Sequence, residues 1–384
     1  MATPRVLIYV QHLIGVGHLH RVATMARSIL RQGCAVTIVS GGLPDPTLHG
    51  IDGIGFIQMP PARARDTTFK ILLDENGIVA TDDWRAMRRD FLQTAVNDYA
   101  PDAVITELFP FGRRLMRFEL LPLLEALHRR PQRPLIFSSV RDILVDRSKP
   151  QYDIDSIEWM QKYYDAAFVH GDPEIVPFEK TFPLATQFSE RLHYTGYITE
   201  QHDMPETTAG ANEVLVSAGG GAVGMGLFRT ALAARPLSKA RDAHWRLLVS
   251  RQEEATAIAE LQQMAGPNTT VEPVRPDFPT MLRHCLLSIS KAGYNTVMET
   301  LNCGARAVVV PLTVGFESEQ ALRADLLSQR GLLQYLPEPK ATPRTLADAI
   351  DRALAAPRPD PTTIHMNGAE ETARLVRLYL ERRQ

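Results

Sequence analysis

Strand-like and helix-like segments alternate along this chain, stop at a polar stretch, and then begin alternating again. "RVLIYV" (5–10) is a short β-branched run of the kind a sheet buries on both faces. "LHRVATMARSILRQG" follows it with apolar residues at helical spacing and Gly33 as terminator. "CAVTIVS" (34–40), "DAVITE" (102–107), "RPLIFSSV" (133–140), "DAAFVHGD" (165–172) and "RLHYTGY" (191–197) read as further strands. In "DDWRAMRRDFLQTAVNDY", Trp84, Met87, Phe91 and Ala95 share one helical face. Residues 198–212 are polar and aperiodic, as in a linker. Beyond them "EVLVSAGGG", "HWRLLVS", "TTVEPV", "CLLSIS" and "RAVVVP" are strands, each with a helical pattern after it. Alternation of this kind builds a parallel sheet covered by helices on both faces, here twice over. The expected fold is α/β with two Rossmann-like domains, 1–197 and 213–365, facing across a cleft. A last helix over 366–384 has Leu375, Val376, Tyr379 and Leu380 on one side, so it should dock on the protein.

Composition excludes several function classes. Lysine and arginine nearly balance aspartate and glutamate, leaving a net charge of -2, so no general basic field exists to hold nucleic acid. Cys34, Cys285 and Cys303 lie far apart and fit neither a zinc spacing nor a disulfide framework, which suits a reducing cytosol. The start of the chain lacks the pattern of a secretory signal, and no apolar run is long enough for a spanning helix. A cytoplasmic protein is expected.

The first strand runs into "IGVGHLHR". Gly15 and Gly17 supply two glycines of a G-x-G-x-x-G dinucleotide loop, but His20 stands at the third. The second strand ends in Ser40-Gly41-Gly42, where such a domain needs an acidic residue for a ribose. The loop is better suited to presenting His18 at the mouth of the cleft as a base for an incoming hydroxyl. A His18 that merely caps or packs at the helix start is an equally good reading of the loop alone.

The second domain adds three features in order. "SAGGGAVGMG" carries Gly219, Gly220 and Gly221, which let backbone approach a phosphate closely. "SISKAGYNTVMET" passes through Gly293 into a helix opened by Asn295 and Thr296, an N-terminal anion site. Glu299, one turn on, can take a ribose diol with two acceptor oxygens. "PLTVGFESEQALRA" puts Glu319 and Gln320 at a helix start, suited to sugar hydroxyls.

G-x-N-T-x-x-E (Gly293, Asn295, Thr296, Glu299), followed after a strand by proline and then Glu-Gln, resembles the donor-binding signature of GT-B glycosyltransferases. The likeness is to family 28, the bacterial transferases that add N-acetylglucosamine to the peptidoglycan lipid intermediate, and to related UDP-sugar transferases. The "GVGHLHR" loop also resembles that of a nucleotide-sugar hydrolase of the same fold, from pseudaminic acid synthesis. The resemblance is firm over 213–325 and thinner over 1–200. It implies an acceptor-binding first domain, a nucleotide-sugar-binding second domain, and a last helix that crosses back to the first. It places Gly219, Gly220, Gly221 and Ala222 near the diphosphate with Thr296 and the helix start, and Gly17 in the loop facing the donor. Glu299 would hold the ribose, Val274 and Arg275 would lie near the base, and Glu319 and Gln320 would face the sugar. His18 would be the catalytic base or a neighbour of the diphosphate. Lys291 and Ala292 depart from the relatives' pattern, which leaves the base and sugar open. No D-x-D motif ends a strand, so no obligatory metal and no cofactor is expected, and inversion at the anomeric carbon fits direct displacement.

The acceptor side is less specific. Glu107 ends a strand and should face the cleft. Phe109 to Leu124 mixes Arg113, Arg114 and Arg117 with apolar residues, which suits either a membrane surface and a lipid-linked acceptor or, preferably, a core helix whose arginines snorkel. Arg141 could grip an acceptor phosphate or carboxylate, or form a structural ion pair. Asp172, before Pro173, reads as a helix N-cap. The sequence thus points to a transferase moving a sugar from a UDP-sugar to a hydroxyl. A hydrolase or epimerase of the same fold and a non-catalytic nucleotide-binding homologue remain the alternatives.

Overall fold

The computed structural model describes residues 3–45, 53–66, 69–144, 149–199, 208–218, 224–250, 255–312 and 318–383. The chain forms two compact units, Met1–Ile198 with Asn367–Gln384, and Thr199–Met366.

The first unit begins with β1 (Arg5–Val10), α1 (Gly17–Arg31), β2 (Ala35–Ser40) and β3 (Ile54–Gln58). A small antiparallel pair follows, β4 (Arg63–Ala64) and β5 (Leu72–Leu73), then α2 (Asp82–Tyr99) and β6 (Ala103–Glu107). The unit continues with α3 (Arg117–His128), β7 (Leu135–Arg141), α4 (Gln151–Tyr163), β8 (Ala166–His170) and β9 (Leu192–Tyr194). Its sheet is parallel, in the order β3-β2-β1-β6-β7-β8-β9. The chain leaves β1 toward one edge and later fills the other edge from β6. The order therefore reverses between β1 and β6, and the residues beyond their carboxyl ends share one crevice. This brings the loop after Val10 next to Glu107.

Two expectations for this unit are corrected. Helix α2 does not turn its Trp84–Met87–Phe91–Ala95 face inward: Met87 and Phe91 are 46% and 39% exposed, whereas Arg88, Leu92 and Val96 are buried. The cause is electrostatic. Arg88 Nε donates to Glu119 Oε2 at 2.7 Å, and its two terminal nitrogens reach Gln11 Oε1 at 2.5 Å and the Gly41 carbonyl at 3.0 Å. Tyr9 donates to the other Glu119 oxygen at 2.5 Å. A buried cation so fully paired fixes the face of its helix. Asp172 caps no helix either: its Oδ1 accepts from Glu174 N at 3.0 Å within a turn.

The Arg88 network also explains Gly41. A Cβ there would lie 2.2 Å from Arg88 and from Gln11, and one on Gly42 would lie 2.4 Å from the His12 ring. The place where a dinucleotide-binding domain keeps its ribose-binding acid is thus filled by protein side chains. The 109–124 stretch is core as well. Phe109, Phe111, Met116, Leu120, Leu123 and Leu124 are all buried, so the apolar groups a membrane surface would need already pack inside.

The second unit runs β10 (Val214–Ser217), α5 (Met225–Ala234), β11 (Trp245–Val249), α6 (Ala255–Met264), β12 (Thr269–Pro273), α7 (Phe278–His284) and β13 (Leu287–Ser290). It ends with α8 (Tyr294–Asn302), β14 (Ala307–Val309), α9 (Ser318–Gln329), β15 (Gln334–Tyr335) and α10 (Pro343–Ala355). Its parallel sheet has the order β12-β11-β10-β13-β14-β15, reversing between β10 and β13. The crevice past these two strands lies beside residue 218 and the start of α8.

The last helix, α11 (Gly368–Arg382), belongs to the first unit. Ala369, Ala373, Val376 and Leu380 share a core cluster with Leu19, Val22, Ala26 and Ile29 of α1. Tyr379 packs edge-on to Phe137 and bonds His193 Nε2 at 2.8 Å. Gly368 permits this entry, since a Cβ there would lie 2.2 Å from the Gly196 carbonyl oxygen. Among the described residues no helix is long and apolar enough to cross a membrane.

Candidate active site

In the first unit the site grows from the end of β6. Glu107 is fully buried, and its Oε1 takes His18 Nδ1 at 2.7 Å together with an Arg21 guanidinium nitrogen. His18 and Arg21 are three apart on α1, so they share a face and reach the same oxygen. A carboxylate only accepts, so the His18 proton sits on Nδ1 and Nε2 carries the lone pair. Nε2 has no hydrogen-bond partner among the described residues, and the side chain keeps 17% exposure. His18 does not cap the helix: Val16 is the N-cap and makes no side-chain capping bond. Gly17 is the first residue of α1.

Burial pushes the His18 imidazolium down to about 3, helped by the Arg113 and Arg141 charges and opposed by Glu107, so the ring is neutral at neutral pH. Burial opposes the charge on Glu107, but the bond from His18 and the Arg21 and Arg113 guanidiniums hold its carboxyl well below the usual range. Arg141 is the last residue of β7. Arg113 follows a tight turn from Leu108, whose carbonyl accepts from Gly112 N at 2.7 Å. Behind the pair lies His170, fully buried at the end of β8. Its Nε2 bonds the Ser139 hydroxyl at 2.7 Å and its Nδ1 the Thr195 hydroxyl at 2.8 Å, and burial pushes it also to about 3.

These two histidines make stability pH-dependent. Each has a folded pKa below that of the unfolded chain, which takes up a proton near the ordinary 6.5. Between there and about 3 the unfolded state binds more protons, so stability falls as pH falls. The slope is about 1.4 kcal/mol per pH unit for each ring. Urea unfolding across this window should show the decline, and His170→Gln should lower the slope by about 1.4 kcal/mol per pH unit. An unchanged slope in that variant would show that His170 is not buried neutral.

In the second unit, the helix start is corrected. Gly293, not Asn295 or Thr296, is the N-cap of α8, with φ -61 and ψ 144 and no side-chain cap. Asn295 and Thr296 therefore fall within the first turn. A Cβ on Gly293 would meet nothing within 4 Å among the described residues. Glu299 is on the next turn. Ser217 and Ser290 end the adjacent strands β10 and β13 in register, both buried, and their hydroxyls have no hydrogen-bond partner among the described residues. Sequence reasoning missed them; serine at paired strand ends was the available signal.

Other expected residues already have partners. Arg275 grips Asp277 with two bonds of 2.8 and 2.7 Å, while Val274 N bonds the Val249 carbonyl at 2.9 Å. Glu319 pairs with buried Arg323 at 2.8 Å, and Gln320 accepts from Leu312 N at 3.1 Å. Lys291 meets Glu338 at 2.5 Å. Gly219, Gly220, Gly221 and Ala222 lie outside the described residues. Among the described residues no cluster could hold a metal ion.

Known proteins place this arrangement. Residues 215–377 match the glycosyltransferase family 28 C-terminal domain. Over 143 residues it is 30% identical to the UDP-N-acetylglucosamine--N-acetylmuramyl-(pentapeptide) pyrophosphoryl-undecaprenol N-acetylglucosamine transferase of Brucella anthropi. That match covers 36% of this chain and only 38% of the relative's length. The structure is similar to MurG of Acinetobacter baumannii, with a TM-score of 0.64, 16% identity, and coverage of 98% of this chain and 100% of that one. It is also similar to the calicheamicin glycosyltransferase CalG4, with a TM-score of 0.61, 17% identity, and coverage of 100% and 95%. These likenesses identify the fold as GT-B, two parallel α/β sheets of seven and six strands. The residues that match the family 28 model cover the second unit from 215 onward and run on into α11.

Proposed function

We propose that this protein is a metal-independent glycosyltransferase that moves a sugar from a UDP-sugar to a hydroxyl acceptor, with His18 as base. The observation that carries the reading is the His18–Glu107 pair: a neutral imidazole, oriented through Nδ1, with Nε2 unengaged. The family 28 domain supports a nucleotide-sugar donor, and the relative's name supports UDP.

In this reading Nε2 takes the proton of the acceptor hydroxyl. The freed oxygen forms a bond to the anomeric carbon while the bond from that carbon to the diphosphate breaks, with inversion. The electron pair leaves with the nucleoside diphosphate, which the first-turn amides of α8 stabilise by fixed dipoles. Glu107 holds the ring and stabilises the imidazolium that forms. Glu299 binds the ribose, and Glu319 and Gln320 lie toward the sugar. Acceptor binding belongs to the first unit. A lipid-linked acceptor, as in the relative's name, is the candidate class.

Calorimetric titration with UDP, and with GDP, CMP and NAD in parallel, tests the donor. UDP should bind and NAD should not; NAD binding alone would sink the reading. Glu299→Ala should weaken UDP binding by about 1–3 kcal/mol, the usual cost of a lost hydrogen bond to a polar ligand group. Unchanged affinity in that variant would remove Glu299 from the ribose.

A further inference from the structure

The buried Arg88 network leaves α2 with an apolar face that the first unit does not cover. Trp84, Met87, Phe91 and Ala95 follow one another at spacings of three, four and four, so they form one stripe along this 18-residue helix. Met87 and Phe91 are exposed, and Trp84 and Ala95 are half-buried. The stripe is not loose: the Arg88 guanidinium lies 5.5 Å from the centre of the Trp84 ring, so a buried cation holds the indole in place. Ile78 and Val79, both exposed, lie just before Thr81, the N-cap of the helix. A contiguous row of exposed apolar side chains marks a surface that docks on something.

Charge narrows the choice of occupant. Residues 63–91 carry six basic and six acidic side chains, so this part of the first unit has no net charge. Arg85 pairs with Asp82 and Arg89 with Asp90, each at 2.9 Å, so the two arginines beside the stripe are matched within their own helix. An anionic membrane surface selects a surplus of lysine and arginine, and the segment has none. The occupant that fits is another neutral, apolar helix face.

The stripe matches itself. In two copies of α2 laid antiparallel, with a two-fold axis level with residue 89, Met87 meets Phe91 of the second copy, a thioether against an aromatic ring. Trp84 and Ala95 lie about 8 Å to either side of that axis, so the largest member of the stripe meets the smallest at both ends. Parallel pairing would instead set indole against indole at one end and leave a gap between alanines at the other. We propose that this face of α2 joins two copies of the chain in a symmetric dimer, with the Met87–Phe91 contacts at its centre. The proposal stands apart from the reading of the site, since none of these residues belongs to it.

Sedimentation equilibrium of the full chain at rising concentration tests this. The mass should climb from that of one chain to that of two. The double variant Met87→Glu with Phe91→Glu should raise the dissociation constant at least about tenfold, because the centre of the interface is lost. Its far-ultraviolet circular dichroism should match the wild type, since both positions face solvent in the single chain. Cross-linking then checks the register. A Met87→Cys protein mixed with a tagged Phe91→Cys protein should form the mixed disulfide under mild oxidation faster than either forms its own. Cys34, Cys285 and Cys303 are buried and do not compete. A single-chain mass at every concentration, an unchanged dissociation constant in the double variant, or a mixed disulfide no faster than the others would each overturn the proposal. So would a monomer that binds phosphatidylglycerol vesicles and loses that binding in the double variant, which would give the face to a membrane.

Discussion

Replacing His18 with alanine is expected to slow sugar transfer by about 10²–10⁴-fold while leaving UDP affinity nearly intact. The size follows from what is removed. The lone pair on Nε2 is the base in the proposed step, and Nδ1 is committed to Glu107 at 2.7 Å, so no alternative tautomer serves. UDP affinity should hold because the proposed ribose and diphosphate groups belong to the second unit. Glu107→Gln supplies the companion measurement. Glutamine keeps the shape but removes the charge that fixes the tautomer and stabilises the imidazolium, so turnover should fall there too, with UDP binding unchanged. Steady-state kinetics and calorimetry on the same preparations separate the two effects. A His18→Ala variant with the wild-type rate would remove this residue from the chemistry.

The largest effect on stability should come from Glu119, which touches no part of the proposed site. Glu119→Ala is expected to cost about 3–5 kcal/mol, because it leaves Arg88 charged and buried with its main partner gone. Both side chains are fully buried, and Tyr9 loses its acceptor as well. Removing both members, as Arg88→Met with Glu119→Leu, should recover much of the loss, since a fully apolar pair carries no desolvation penalty. Urea unfolding of the two single variants and the double variant gives the coupling directly. A loss below about 1 kcal/mol in Glu119→Ala would mean that solvent or another group reaches Arg88.

The framework was readable because buried parallel strands are written as continuous β-branched runs. "RVLIYV" and "CAVTIVS" admit little else. The site was readable only in part. Glu107 could be placed at a strand end, but its pairing with His18 spans 89 residues and depends on the sheet order that makes β1 and β6 neighbours. The inward face of α2 was misjudged because an arginine is ordinarily a surface residue, and only Glu119 of α3 makes Arg88 an interior one. Asn295 and Thr296 looked like caps by residue type, yet glycine is also accepted at that position and Gly293 takes it.

The placement of α11 has a consequence for how the molecule is made. Growing chains usually complete their first domain before the next emerges. Here the second unit is finished at Met366, while the first lacks the helix that covers Leu19, Val22 and Ile29 until α11, which follows Met366 in the chain, has left the ribosome. The part translated first is therefore the last to close. Until then it exposes the apolar strip of α1 that α11 covers in the folded protein.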